Sequence, residues 1–208
     1  MEVKEAIQSR RSIRKFKQDA VPDDYITEII EAARLAPSGT NLQPTRFVVI
    51  KSKEMREKLN EGTPLPFVTK APVVIACCVD KNSIMASGER MKELTEAKAF
   101  EDTPLDKKTG DNKDKDDYNK RRSNMSEAAL KAYMSLNLAI AVEHMILRAT
   151  DLGLGSCWIM MVDGEKTKSI LELDDRYDVV ALVPIGYSDQ APSQRPRLPL
   201  DELIIKQC

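Results

Sequence analysis

The chain has 208 residues, 42% of them hydrophobic and 31% charged, with a formal net charge of −1. A chain of this length buries roughly 70% of its unfolded surface on folding and needs no disulfide or metal to hold it, and a balanced charge excludes a global field for nucleic acid. The longest apolar run, residues 71–79, is too short to span a bilayer. Residues 1–20 are charged throughout and lack the apolar core of a secretion leader, so a cytoplasmic protein is expected.

The first element is a short amphipathic run carrying Val3, Ala6 and Ile7. It leads directly into Ser9-Arg10-Arg11-Ser12-Ile13-Arg14-Lys15-Phe16, where three arginines and a lysine fall within six residues. If the helix continues through this segment, Arg10 and Arg14 stand four apart on one face. A guanidinium fork is well shaped to grip a phosphate. Several of them, with the Ser12 hydroxyl, suit a dianionic phosphate monoester; a solvated basic patch is the plain alternative.

A second helix opens at Pro22-Asp23-Asp24, buries Tyr25, Ile26, Ile29, Ile30 and Ala33, and stops before Pro37. The loop Ala36-Pro37-Ser38-Gly39-Thr40-Asn41-Leu42-Gln43-Pro44 is rich in turn formers and amides. Residues 46–51 read as a strand and residues 52–60 as a short helix. Residues 71–80 are apolar at both parities, as in a strand covered on both faces. Residues 101–124 hold seven acids and seven bases and almost nothing apolar. We expect a solvated insertion there, with a lid over a pocket as the functional alternative.

Residues 126–152 predict a long helix, apolar over more than one stripe and therefore central or at a subunit interface, with Gly153 as its stop. Residues 156–162 read as a strand, Asp163 as the cap of a helix through Leu173, and residues 178–187 as the last long strand. The order implies an α+β or three-layer arrangement. No G-x-G-x-x-G turn follows a strand, so no dinucleotide fingerprint is present. The four cysteines lack C-x-x-C spacing and His144 is the sole histidine, which argues against a metal site and a histidine-based triad.

Four segments in order resemble the nitroreductase family of flavin enzymes. They are residues 10–16, residues 33–44, Gly153-Leu154-Gly155-Ser156, and Pro184-Ile185-Gly186-Tyr187 with Arg195-Pro196-Arg197-Leu198-Pro199-Leu200. The resemblance covers the whole chain except the charged insertion. It implies a single domain over 1–208, a three-layer α/β/α fold with a mixed, mainly antiparallel sheet, an insertion at about 85–124, and a tail, 188–208, that crosses a dimer. It also implies a homodimer with one FMN per subunit at the interface.

By the same resemblance, Arg10, Arg11, Ser12, Ile13 and Arg14 hold the phosphate and ribityl chain, with Arg197 and Arg195 assisting. Pro37, Ser38 and Gly39 contact the flavin ring from the partner subunit. Asn41 matches the imide edge of the ring or braces the loop. Ile159 and Met160 run past the ring and offer backbone amides to reduced flavin. No side chain is catalytic, because the flavin carries the chemistry.

The implied reaction takes electrons from NADH or NADPH to a nitroaromatic, a quinone or a similar small aromatic acceptor, in a ping-pong sequence. Two alternatives are a reductive dehalogenase of the deiodinase branch and an FMN-binding protein without turnover. Thr45 stands where many relatives carry tryptophan, and residues 60–70 lack the asparagine-lysine arrangement some use against the ring.

Overall fold

A computed structural model of the chain describes residues 1–101 and 124–208. The charged stretch singled out above lies outside them, apart from its flanks. Helices α1 (Val3–Ser9), α2 (Asp23–Arg34), α3 (Lys53–Lys58), α4 (Phe67–Lys70) and α5 (Ser87–Glu96) precede that stretch. Helices α6 (Glu127–Asp151), α7 (Gly164–Ile170) and α8 (Leu200–Leu203) follow it. Strands β1 (Thr45–Ile50), β2 (Val73–Asp80), β3 (Gly155–Ser156) and β4 (Tyr177–Gly186) form one sheet in the order β1-β2-β4-β3.

Every ladder in the sheet is antiparallel. An isolated parallel bridge between Ser12 and Ser156 supplies the mixed element. Strand β2 is buried along its whole length. Its alternating side chains divide the core: Val73, Ile75, Cys77 and Val79 pack with α2 and α6. Val74, Ala76 and Cys78 pack on the other face with Leu59, Val68 and the helices α3 and α7. Three layers result because a strand with two apolar parities must be covered twice.

The long helix begins where Ser126 accepts from the Ala129 amide and ends before Gly153, whose φ of +75° reverses the chain. Met134, Leu138, Ala141, Met145 and Ala149 lie in the core, while Leu136 and Ile140 are 67% and 42% exposed on another side.

Two expectations are corrected. Helix α1 ends at Ser9, so Arg10 and Arg14 do not share a helical face. Instead Ile13 donates its amide to Ser156 O at 2.9 Å, and Ile13 and Phe16 are drawn into the interior. Residues 156–162 are not a continuous strand. Cys157 donates to Pro184 O at 3.4 Å and Ile159 exchanges bonds with Leu182, but Pro184 has no N–H to return on that side. The ladder therefore thins to single contacts and turns away at Met160.

At the open end of β2 the carboxylate of Asp80 is fully buried. It accepts from Arg176 at 2.7 and 2.5 Å, from Arg46 at 3.2 Å and from the Asn82 amide at 3.0 Å. Burial pushes the acid upward, but the Arg176 hydrogen bonds, the Asn82 amide and both guanidinium charges outweigh it and hold the carboxyl below its usual range. A depressed carboxyl contributes stability that is present above the unfolded value, about 4, and is lost as pH falls toward the folded one. Asp80→Asn is therefore expected to cost about 3 kcal/mol at neutral pH in urea unfolding, and to flatten the acid limb of the stability curve below about pH 4.

Candidate functional site: an arginine-lined cavity and a separate strained turn

The segment after α1 is held in place through its backbone. Besides the bond from Ile13 to Ser156, Lys17 donates to Tyr187 O and Asp189 donates to Lys15 O, each at 2.9 Å. Phe16 bridges Ser188 in antiparallel fashion. The start of the chain thus runs beside the strand ends of 156 and 187. It directs the following residues, 190–197, back across the arginines.

A cavity of about 280 Å³ forms between the two segments, with Arg10, Arg11, Ser12, Arg14, Arg195 and Arg197 among its lining residues. No carboxylate lines it, and no ion pair engages these five arginines among the described residues. Their hydrogen bonds go to backbone carbonyls. Arg11 donates to Gln8 O at 2.7 Å, Arg14 to Ser12 O at 3.3 Å and Arg197 to Pro196 O at 3.0 Å.

Cys157 lies against the same cluster. Burial pushes its thiol upward, while Arg14, the Ser12 hydroxyl, Arg195 and Arg10 pull the other way. Five like charges sharing one hollow repel one another unless an anion sits between them. The donor set matches a phosphate monoester, which offers several acceptor oxygens and nearly two negative charges at neutral pH.

Ile13 lines the adjoining cavity of about 460 Å³ with Gly153, Leu154 and Gly155. A β-carbon on Gly155 would stand 2.7 Å from Ile13 Cγ1 and 2.9 Å from its Cβ. The glycine lets the two segments approach closely enough to pair.

The other predicted residues lie elsewhere. Ile159 is in the core and gives its amide to Leu182 at 2.9 Å, so that amide is committed to the sheet. Met160 and Met161 are 73% and 62% exposed immediately after it. Pro37 and Ser38 line a different cavity of about 330 Å³ with Phe47, Asn137 and Ala141. Among the described residues, the cavity beside Pro37 and Ser38 and the arginine cavity share no lining residue.

That turn is conformationally unusual. Thr40, Asn41 and Gln43 all have positive φ, at 51°, 54° and 49°. Asn41 suits such a position better than most residues. Helix α5 packs against the turn, and hydrogen bonds to it come from α6. The amide of Gly39 donates to Asn137 Oδ1 at 2.7 Å, and Tyr133 OH donates to Gly39 O at 3.2 Å. Sequence reasoning overlooked Asn137, although a lone amide within the apolar run Leu136-Asn137-Leu138-Ala139-Ile140 was the available signal.

Comparison with known proteins follows the same lines. The nitroreductase family profile matches residues 7–187. An NADH dehydrogenase of Thermus thermophilus is 31% identical over 218 aligned residues, covering 99% of this chain and 96% of its own length. An NAD(P)H-dependent FMN reductase of Bacillus subtilis is 27% identical, covering 95% of this chain and 70% of its own length. A chain from Exiguobacterium sibiricum, solved in complex with FMN, superposes with a TM-score of 0.83 at 24% identity, covering 100% of this chain and 98% of its own.

Each charge-assisted hydrogen bond to phosphate contributes about 1.5–3 kcal/mol. Arg10→Ala and Arg197→Ala are each expected to weaken FMN binding by about one to two powers of ten, measured by quenching of flavin fluorescence. Gly155→Ala is expected to act in the same direction without touching the ligand, because it forces Ile13 and Arg14 away from Ser156.

Proposed function

The chain belongs to the nitroreductase family, and from that premise we propose that it passes electrons from NADH or NADPH to a nitroaromatic, a quinone or a similar small aromatic acceptor. It is an NAD(P)H-dependent oxidoreductase and its cofactor is FMN. The observation that carries this reading is the cavity of five guanidinia with no acid to neutralise them. Bound there, FMN would supply the redox chemistry, hydride acceptance from the nicotinamide and electron delivery to the acceptor.

The chain's own part is to bind, orient and exclude water. Arg10, Arg11, Arg14, Arg195 and Arg197, with Ser12, hold the phosphate. Met160, whose amide is not used in the sheet, follows Ile159 where that segment turns away from β4, and in this reading its amide faces the ring. Donor and acceptor would occupy one site in turn, which predicts parallel lines in double-reciprocal plots.

The protein works as a homodimer in this reading. The Pro37–Asn41 turn and the arginine cavity are two half-sites that one chain keeps apart. A second chain brings a turn to each cavity. The exposed pair Leu136 and Ile140 on α6, and the exposed Leu198, Leu200, Leu203 and Ile205 of the tail, supply apolar surface for that contact. The reading takes 1–208 as one domain whose tail, 188–208, reaches the partner, in a cytoplasmic enzyme.

The purified protein is expected to show a flavin absorption spectrum that bleaches on anaerobic addition of NADH or NADPH and returns on addition of a nitroaromatic or a quinone. A flavin spectrum that never bleaches would mean an FMN-binding protein without turnover, and iodide release from halotyrosines would mean the dehalogenase. In sedimentation the holoprotein is expected to be a dimer that loosens when FMN is removed.

A further inference from the structure

Three non-glycine residues with positive φ within four positions are a costly arrangement. Thr40 is the least tolerant of them, because its β-branch crowds the carbonyl in the left-handed region. Such a turn persists only where its surroundings dictate it.

The fixing contacts converge on Gly39 from one side of α6. Asn137 is 5% exposed and uses both ends of its amide: Oδ1 accepts from the Gly39 amide, and Nδ2 donates to Tyr133 O at 2.7 Å. Tyr133 in turn donates its hydroxyl to Gly39 O. Gly39 is therefore gripped at its N–H and its C=O, by residues one helical turn apart. A β-carbon there would lie 2.1 Å from the Tyr133 oxygen. Downstream, Gln43 donates its amide to Ser38 Oγ at 2.9 Å and Leu42 is fully buried, so the strained stretch is closed at both ends.

We propose that Asn137, acting with Tyr133, is the positioning residue that sets the shape of the Pro37–Asn41 turn, and through it the flavin affinity of the neighbouring subunit. The inference rests on the reading that this turn meets a flavin held by the other chain. Asn137 positions the turn rather than meeting the cofactor itself. It holds Gly39 so that the turn presents one fixed surface, and its loss leaves the turn free to leave the left-handed conformation.

The test separates phosphate capture from ring capture. Asn137→Leu keeps the side-chain volume and removes both bonds, and Tyr133→Phe keeps the ring and removes only the hydroxyl. Both are compared with the unaltered protein in three measurements: FMN dissociation by fluorescence, inorganic phosphate binding to the apoprotein by calorimetry, and the flavin midpoint potential. FMN affinity is expected to fall about three- to tenfold in Tyr133→Phe and further in Asn137→Leu. Phosphate affinity should be unchanged, and the potential should shift, because the ring alone loses its fixed neighbour.

Equal losses for FMN and phosphate would reduce Asn137 to general support of the fold. Unchanged FMN affinity and potential in both variants would show that the turn holds its shape without these bonds. Either result overturns the proposal. If Asn137→Leu does not fold, Tyr133→Phe decides alone. An unaltered protein that takes up phosphate but no FMN would defeat the underlying reading itself, and this inference with it.

Discussion

One short backbone pairing organises the molecule: the amide of Ile13 on the carbonyl of Ser156, continued by Lys17 on Tyr187 and Asp189 on Lys15. It adds a strand-like edge to the sheet from the chain's beginning and sets the direction in which its end departs. Segments separated by nearly the whole sequence are thereby placed face to face. The pairing is possible only because residue 155 has no side chain and because Ile13 and Phe16 have apolar volume to bury beside it. Hydrophobic burial and ladder bonds anchor the segment, and the arginines between the anchors are carried into place.

The consequence is electrostatic. Elsewhere on this protein several basic groups are paired with acids: Arg176 and Arg46 with Asp80, Arg34 with Glu31, Lys168 with Glu165 and Asp175. Among the described residues none of the five guanidinia of the cavity is paired with an acid, and Arg11, Arg14 and Arg197 donate to backbone carbonyls. Those dipoles offset part of the charge and leave the rest for a ligand. A net charge near zero thus coexists with a strongly positive hollow, and such a hollow also speeds the arrival of an anion.

Much of this was legible in the sequence because arginine spacing and turn composition are local signals. The run from Arg10 to Arg14, the Pro37–Pro44 loop, the doubly covered strand and the long helix all follow from residue type and period. What escaped depended on distant partners. Whether Arg10 and Arg14 share a helical face is decided by Ser156, which captures Ile13 and ends the helix first. Residues 157–162 have strand-forming side chains, yet their ladder is interrupted by a proline some 25 positions later. Asn137 looks like a blemish in an apolar helix until Gly39 is seen to need it.

The tail that completes the cavity is joined to the rest lightly. Beyond Asp189, the arginine-bearing stretch makes few backbone bonds to the body of the protein, and Arg195 and Arg197 sit on exposed chain. Such a segment opens locally at a free energy well below that of global unfolding. In one chain taken alone, peeling of this strap would open the hollow without unfolding the sheet. Amide hydrogen exchange along 190–197 would report that peeling, and slow exchange in β2 would persist while the hollow opens and closes.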